Sequence, residues 1–420
     1  MLNNLIIIIP ILIISILIFI FFIIKPQYLI YLIAFIIPFR FSFSNLENFD
    51  LRLPDLIFIV WIFVWLILFI MRKVKLNNII TQKKIILFLI YCIISFLIGS
   101  LNCFNIEGLI ELFRLTMVIL VGITLVTMFN NKKDFINFFY FWILGALISS
   151  IYSIVYFYQQ GFDFNQIFTV SNDSIKQFYD MKFSSSPLFE DPNNFASYLL
   201  ISILITIGVK KYNYINKNNK KSITICLIIQ VLALIITLSR SAYIGLVIAI
   251  LVNLTLDKKF KVLKGILFFL LMIAIILGAI NIFNTDYSAM SRIALWETAV
   301  NMSINNPIFG VGLANFPIYF LKYLKGNILM MNPHPHNLFL RISAETGIVG
   351  LFLFINIYLE PIKNFLFYKN KKNINYNLQR YLILGIIAFF VQSIGVEYLA
   401  SRHFWIVTSL ILLNEKLKIA

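Results

Sequence analysis

The amino-acid sequence predicts an all-α, polytopic membrane bundle. Apolar residues make up 60% of the 420-residue chain and charged residues only 13%, whereas a soluble domain has about 45–50% and about 25%. The mean hydropathy is +0.90, and nearly uncharged runs of the length that crosses a bilayer, about 17–25 residues, recur along the chain. These observations exclude a water-soluble globule, a disordered chain and a collagen-like fibre.

The apolar runs predict twelve or thirteen transmembrane helices in one integral membrane domain, residues 1–420. Two of the runs are short, 28–39 and 403–414, and each is either a full span or a tilted half-span. The first run is too long for the apolar part of a cleavable signal peptide, so we interpret it as a retained helix. The runs have these approximate bounds: 5–24, 28–39, 54–71, 85–101, 107–128, 135–158, 193–209, 222–238, 242–256, 262–283, 338–360, 380–399 and 403–414.

The basic residues predict the orientation of the bundle. The formal net charge is +17, which in a membrane protein marks cytoplasmic loops, so no nucleic-acid partner is expected. Two long loops, 159–192 and 284–337, then face outward, on the side opposite the cytoplasm. The lysine-rich loops recur at every second connection, at residues 72–84, 132–133, 210–221, 258–264 and 361–380.

The large outward loop 284–337 is predicted to be structured and functional. It is rich in aromatic residues and poor in charge. Ile293, Trp296, Val300 and Ile304 follow a helical spacing, which predicts an amphipathic helix over Ser291–Ile304 that lies on the membrane or caps the bundle. Long structured loops on one side of a scaffold are where binding and catalytic residues concentrate.

The arginines of this lysine-rich chain are informative. The chain has 26 lysines and nine arginines, and arginine is preferred where a planar fork must hold phosphate or carboxylate. Arg240, in TLSRSAYIG, and Arg292, in the first turn of the predicted helix, therefore favour an anionic ligand. The alternative is that arginines anchor loops by pairing with acids. Seven lie outside the lysine-rich loops: Arg40, Arg52, Arg114, Arg240, Arg292, Arg341 and Arg402.

Two histidines, His334 and His336, stand in NPHPHNLFLRISAETGIVG just before an apolar run. Histidine is partly neutral near pH 7 and can accept a proton, which suits a general base. The alternatives are a polar loop before a helix and a metal-binding pair. Because no cysteine or third ligand lies nearby, we expect no metal site. No P-loop, Rossmann or nucleophile-elbow motif occurs, so no cofactor is expected.

Two acidic residues, Glu190 and Asp191, precede a further span in LFEDPNNFASYLL. Asp191 before Pro192 is typical of a helix N-cap. The functional alternative is that these carboxylates orient the hydroxyl groups of a sugar substrate.

The sequence resembles the O-antigen ligase and polymerase superfamily of bacterial membrane glycosyltransferases over residues 190–353, which we interpret as the catalytic region. The last matching stretch carries Gly347 and Gly350, a spacing expected to permit close helix packing. Four stretches in order carry the resemblance: EDPNNFASYLL, LSRSAYIGL, SRIALWETAVNMSINNPIFGVGLANFP and HPHNLFLRISAETGIVG.

The resemblance implies about twelve helices with a large periplasmic loop over an outward cavity. It implies an undecaprenyl-diphosphate-linked oligosaccharide donor, and metal-independent, inverting glycosyl transfer. The family's catalytic histidine falls on His336 and its essential arginines fall on Arg240 and Arg292. The residues expected to contact substrate are Asp191, Asn337, His334 and Glu190.

Several functions stay open. Within the superfamily the acceptor is a growing glycan for a polymerase, lipid A-core for a ligase, or a protein for an O-oligosaccharyltransferase, and the catalytic residues do not separate them. Outside it, a transporter or flippase of lipid-linked saccharide also fits many helices and buried arginines, although the spans show no repeat symmetry. A structural subunit would leave the arginines and His336 without a role. Membrane lipids are partners in every case.

Overall fold

The computed structural model describes residues 15–39, 52–74, 82–129, 132–160, 185–186, 188–189, 191–211, 217–255, 287–325, 333–367 and 374–414. These residues are helical apart from short connections, which confirms the all-α prediction. The helices are α1 Ser15–Ile24, α2 Pro26–Ile36, α3 Leu53–Ile70, α4 Lys83–Asn102, α5 Ile106–Leu125, α6 Lys132–Gln159, α7 Pro192–Lys210, α8 Lys217–Ile236, α9 Arg240–Thr255, α10 Tyr287–Asn305, α11 Phe316–Tyr323, α12 Leu338–Phe367, α13 Ile374–Gln392 and α14 Arg402–Asn414.

The protein is a multi-pass membrane protein. Six described helices are long and apolar enough to cross a membrane, and the pair α1 and α2, bent by 108°, would make a seventh. The count is below the twelve or thirteen predicted, because several predicted runs form helices shorter than the roughly 20 residues that a span needs. Of these, α9 has 16 residues and α14 has 13. The predicted run 262–283 and most of loop 159–192 lie outside the described residues.

The helices that carry the candidate residues meet at one end of the bundle. At the start of α7, the Asn193 carbonyl accepts a hydrogen bond from Gln392 Nε2 at the end of α13 (2.9 Å), and its side chain accepts one from Ser239 Oγ before α9 (2.9 Å). The N–H of Leu338, the first residue of α12, donates to the Ser393 carbonyl (2.9 Å). Helix α7 ends with Lys210 at the opposite end. The candidate residues and the lysine-rich loop 210–221 thus lie at opposite ends of the bundle, as the predicted orientation requires.

Helix α12 is broken at Gly347, whose φ is 74° and ψ 175°. The segment 306–315 fills the break. The N–H groups of Val311 and Gly312 donate to the carbonyls of Ala344 and Glu345 (both 3.0 Å), and the Ile348 N–H donates to the Pro307 carbonyl (2.8 Å). These bonds satisfy backbone groups that the interrupted helix leaves unpaired.

The two glycines of the matching stretch therefore differ in role. A Cβ on Gly347 would lie 2.1 Å from the Ile308 carbonyl oxygen, so this position serves the break, and the prediction of helix packing was wrong for it. A Cβ on Gly350 would come within 3.3 Å of the Tyr91 ring on α4. Gly350 thus has the close packing that was expected.

A lobe, residues 287–325, contains α10, α11 and the segment 306–315. A helix at the predicted position is confirmed, as α10, and Ile293, Val300 and Ile304 of its proposed apolar face are exposed. Its other side packs against the first half of α12. Apolar residues occur on both sides of the helix, so the sequence alone did not show which side is buried. The lobe has its own small core, formed by Leu295, Ala299, Met302, Val311, Phe316, Phe320 and Ala344.

Candidate active site

The histidine segment, residues 333–337, connects to the start of α12 and is held from both sides. From the lobe, the indole N–H of Trp296 donates to the Pro335 carbonyl (2.9 Å). From α12, the Asn337 side-chain oxygen accepts the N–H groups of Phe339 (3.0 Å) and Leu340 (3.1 Å), as an N-cap does. The structure thus gives Asn337 a capping role, and its contact with substrate stays a prediction.

One carboxylate, that of Glu397, engages both histidines. Its Oε1 lies 3.1 Å from His334 Nδ1, and its Oε2 accepts the backbone N–H of His336 (2.9 Å). Glu397 lies in the connection between α13 and α14. The sequence analysis missed it. The only signal was an acidic residue within the predicted apolar run 380–399, where a carboxylate is costly and often functional.

The backbone of His336 is in the left-handed region, with φ 48°. Positive φ is uncommon for a residue with a side chain, and it persists where the surroundings hold it in place. Here the hydrogen bond to Glu397 and the N-cap at Asn337 lie on either side of the strained position. His336 as a residue is exposed at the surface of the site, although its ring is partly dehydrated by neighbouring groups.

The two histidines have opposite protonation tendencies. Loss of hydration lowers the pKa of His336, and the positive charges of Arg292 and His334 lower it further against the opposing charges of Glu397 and Asp191. The contact with Glu397 raises the pKa of His334. Near neutral pH, His336 is therefore the histidine that can accept a proton, and His334 is the one that tends to stay charged.

The Glu397 carboxyl stays ionised although it is largely buried. Burial raises its pKa, but the contact with His334 and the charge of Arg341 outweigh burial and hold the pKa below the usual range. The pKa shifts of His334 and Glu397 therefore favour their charged forms, beside an imidazole of His336 whose pKa shift favours the neutral form.

The two candidate arginines lie at the same end of the bundle as His336. Arg292, on α10, is one turn before Trp296, and its charge contributes to the low pKa of His336. Arg240 is the first residue of α9 and follows Ser239, which bonds to Asn193 near the start of α7. That both arginines hold one anion stays a prediction.

The N-cap interpretation of Asp191 is confirmed. Its side chain accepts the Asn193 N–H (2.8 Å), and its other oxygen accepts a hydrogen bond from the Tyr398 hydroxyl. Asp191 is thereby tied to the residue after Glu397, which sequence reasoning also missed. Glu190 lies outside the described residues. A role of either carboxylate in sugar binding stays a prediction.

Metal ligands do not gather in the described part of the chain: no three His, Cys, Asp or Glu residues there could hold an ion together. The arrangement instead offers a neutral imidazole, a neighbouring ion pair and two cations from different helices. Such a set can accept a proton from a hydroxyl group and stabilise negative charge on a leaving group.

Comparison with known proteins gives matches to the same region. Residues 225–355 match the O-antigen ligase family profile. A Rickettsia conorii protein named as a polysaccharide ligase is 32% identical over 210 residues, 42% of this chain and 48% of that protein. The ComP-specific O-oligosaccharyltransferase of Acinetobacter baylyi is 25% identical over 224 residues, 49% of this chain and 39% of that protein.

A further polysaccharide ligase by name, from Rickettsia felis, is 31% identical over 127 residues, 26% of this chain and 29% of that protein. The matches therefore span less than half the length of each of these relatives. The profile match includes Arg240, Arg292, His334 and His336. Residues 225–355 thus match the O-antigen ligase family, in the same part of the chain in which the four motif stretches predict the resemblance.

Proposed function

We propose that the protein is a membrane glycosyltransferase that transfers or polymerises surface-polysaccharide units from an undecaprenyl-diphosphate-linked donor at the outer face of the bacterial inner membrane. The observation that supports this most directly is the environment of His336. It is a neutral histidine beside an ion pair and Arg292, within the region that matches the family. Residues 190–353 form the catalytic region in this proposal.

In the proposed reaction the acceptor hydroxyl attacks C1 of the donor sugar. The bond between that oxygen and C1 forms while the bond from C1 to the diphosphate oxygen breaks, which inverts the configuration at C1. His336 takes the hydroxyl proton, and undecaprenyl diphosphate leaves. Arg240 and Arg292 stabilise the charge that develops on the diphosphate, as preorganised cations do. No metal ion is needed in this scheme.

Glu397 acts as a positioning residue in the proposal. Its carboxylate holds the backbone of His336 and keeps His334 paired, which leaves the ring of His336 to the acceptor. Asp191, Asn337, His334 and Glu190 are the proposed contacts of the saccharide.

The acceptor separates the possible activities. The names of the Rickettsia and Acinetobacter relatives point to a polysaccharide ligase and to a protein O-oligosaccharyltransferase, and a polymerase would extend a second donor molecule. We propose a glycan or lipid A-core acceptor first, because the ligase relative is the more similar of the two.

The test is a transfer assay with the purified protein in proteoliposomes. The probe is a radiolabelled polyprenyl-diphosphate-linked oligosaccharide, given with lipid A-core, with pilin-type protein, or alone. Label on one acceptor identifies that activity, and longer chains without acceptor identify a polymerase. Movement of the probe across the bilayer without transfer would support a transporter instead.

Two conservative variants test the roles of the arginines in this assay. Arg240→Lys and Arg292→Lys keep the charge but lose the two parallel donors of the fork, so each should lower transfer by about tenfold or more. Normal rates in both would contradict the arginine roles. Loss of wild-type transfer on adding a chelator would contradict the metal-independent mechanism.

A further inference from the structure

A buried ion cluster lies directly behind the histidine segment. Arg341, on the first half of α12, donates from Nε to Glu345 Oε1 (3.2 Å) and from Nη2 to Glu111 on α5. Its Nη1 donates to the backbone carbonyl of Glu397 (3.3 Å). The Arg341 side chain is only 9% exposed, and that of Glu345 is 1% exposed.

This cluster is anchored to rigid parts of the molecule. The Glu345 carbonyl accepts the Gly312 N–H (3.0 Å) and lies 2.9 Å from Ser95 Oγ on α4. Glu111 lies in the second turn of α5, which Asn105 caps. The guanidinium therefore spans two helices and reaches one target outside them, the carbonyl of Glu397.

Burying a guanidinium together with carboxyl groups is expensive. A buried ion pair often stabilises a fold less than apolar residues of the same size would. Fold stability alone thus gives a weak reason for the cluster, and a role in geometry gives a better one. The hydrogen bond from Arg341 to the Glu397 carbonyl reaches outside the cluster, so the geometric role concerns the position of Glu397.

We propose that Arg341 is a positioning residue for glycosyl transfer and acts through Glu397. It fixes the backbone of Glu397 so that the two carboxylate oxygens reach His334 and the N–H of His336 together. This inference rests on the proposed function, because it assigns Arg341 to the same reaction.

The structure of the segment that carries Glu397 supports this positioning role for Arg341. Residues 393–398 follow the end of α13 and form no helix. Local backbone hydrogen bonds join this segment to the end of α13, and the Glu397 carbonyl accepts the Leu399 N–H (2.9 Å). From other helices, the Leu338 N–H reaches the carbonyls of Ser393 and Val396, the Tyr398 hydroxyl donates to Asp191, and Arg341 donates to the Glu397 carbonyl. Among these described contacts, that of Arg341 joins the backbone of Glu397 itself to the interior of another helix.

The charges around this position support the same role. His334, His336 and Arg341 face Glu397, and Arg292 and Asp191 face His336 from α10 and α7. Arg341 contributes to the low pKa of Glu397. If Arg341 were displaced, the Glu397 carboxylate would be held less firmly in position, and its charged form would be less favoured.

A double-mutant cycle tests the inference with the full-length protein in the transfer assay. The variants are Arg341→Lys, Glu397→Gln and the double variant, because lysine keeps the charge but cannot span three acceptors. Each single change should slow transfer by about tenfold, with kcat reduced and the donor KM within about twofold. The double variant should be no slower than the slower single variant.

Losses that multiply in the double variant, or a rise in donor KM without a change in kcat, would overturn the inference. If Arg341→Lys fails to fold, Glu111→Gln is used in its place, because it frees the guanidinium from α5 and should show the same non-additivity. The control is Lys84→Met, which removes the exposed Lys84–Glu360 pair and should leave both constants unchanged.

Failure of the inference and failure of the proposed function give different results. If His336→Ala abolishes transfer while Arg341→Lys keeps the wild-type rate, Arg341 has no positioning role. If His336→Ala keeps the wild-type rate, the proposed reaction itself is wrong.

Discussion

The two halves of α12, on either side of Gly347, have opposite surroundings. In residues 338–346 every side chain is buried or half-buried, and Arg341, Ser343 and Glu345 are among them. In residues 348–367 the helix exposes large apolar side chains, including Ile348 and Phe352, the latter 62% exposed. One half lies inside the protein under the lobe, and the other half presents a surface suited to lipid.

This difference shows where polar chemistry is possible in the protein. The first half begins at the histidine segment and carries an ion cluster. These polar groups are tolerated there because the lobe covers this half. From Ile348 to Leu359 the exposed side of the second half is apolar, and a charge there would be expensive in lipid. The break at Gly347 is the boundary between these environments.

The largest expected effect comes from closing the break itself. Gly347→Ala places a Cβ 2.1 Å from the Ile308 carbonyl at a φ of 74°, and the backbone strain alone costs about 1–3 kcal/mol. We expect most of the folded protein and all transfer to be lost, as measured by monodispersity in detergent and by assay. Gly385→Ala is the control, since its Cβ meets nothing closer than 3.6 Å. Equal yields of the two variants would show that the halves do not depend on the break.

The next effect concerns the residue that leads into the first half. His336→Ala should slow transfer by about 10²–10⁴-fold, the usual range for a general base, with unchanged membrane insertion. His334→Ala should lose much less. Rates are compared at equal protein level. If His334→Ala is the more damaging change, the base has been assigned to the wrong histidine.

The pH dependence gives a smaller effect with a definite sign. A base must be neutral, and the pKa of His336 is below 6.5, so the acid limb of wild-type transfer should have its midpoint below pH 6.5. His334→Ala removes a positive charge that lowers this pKa and frees the charge of Glu397, which raises it. The midpoint should therefore move to higher pH. A shift to lower pH would contradict the charge arrangement.

The smallest effect is expected in the second half. Phe352→Ala changes a side chain that faces outward, so the apparent stability should change by about 0.5 kcal/mol or less. Phe354→Ala, two residues later, empties a fully buried position and should cost about 3–5 kcal/mol. Thermal unfolding in detergent measures both. Similar losses in the two variants would mean that Phe352 is covered by protein.

Much of the fold was predictable because each signal was local. Uncharged runs predicted the positions of most described helices, although runs 338–360 and 380–399 end well away from the ends of α12 and α13. Asp191 before Pro192 predicted an N-cap that the structure confirms. The break at Gly347 was not predictable, because apolar residues resume directly after it and an isolated glycine is tolerated within a helix. The buried side of α10 was also not predictable, since apolar residues occupy both of its faces.

The candidate site was predictable only in part, for a different reason. His334, His336, Arg240 and Arg292 stand in recognisable stretches, although their roles stay predictions. Glu397 contacts His336 across 61 positions, and no spacing rule connects residues so far apart. Arg341 was noted as an arginine outside the lysine-rich loops, but its partner Glu111 belongs to a different helix.

The filling of the break by segment 306–315 also determines the order of biogenesis. This segment leaves the ribosome before Ala344, Glu345 and Ile348, whose backbone groups it needs. The lobe can therefore attach only after the first half of α12 is made. A nascent chain stopped before Ala344 should have a lobe that added protease cleaves, and synthesis of the rest of α12 should protect it. Attachment of the lobe is thus a late step of assembly, which can occur only after α12 is in place behind the histidines.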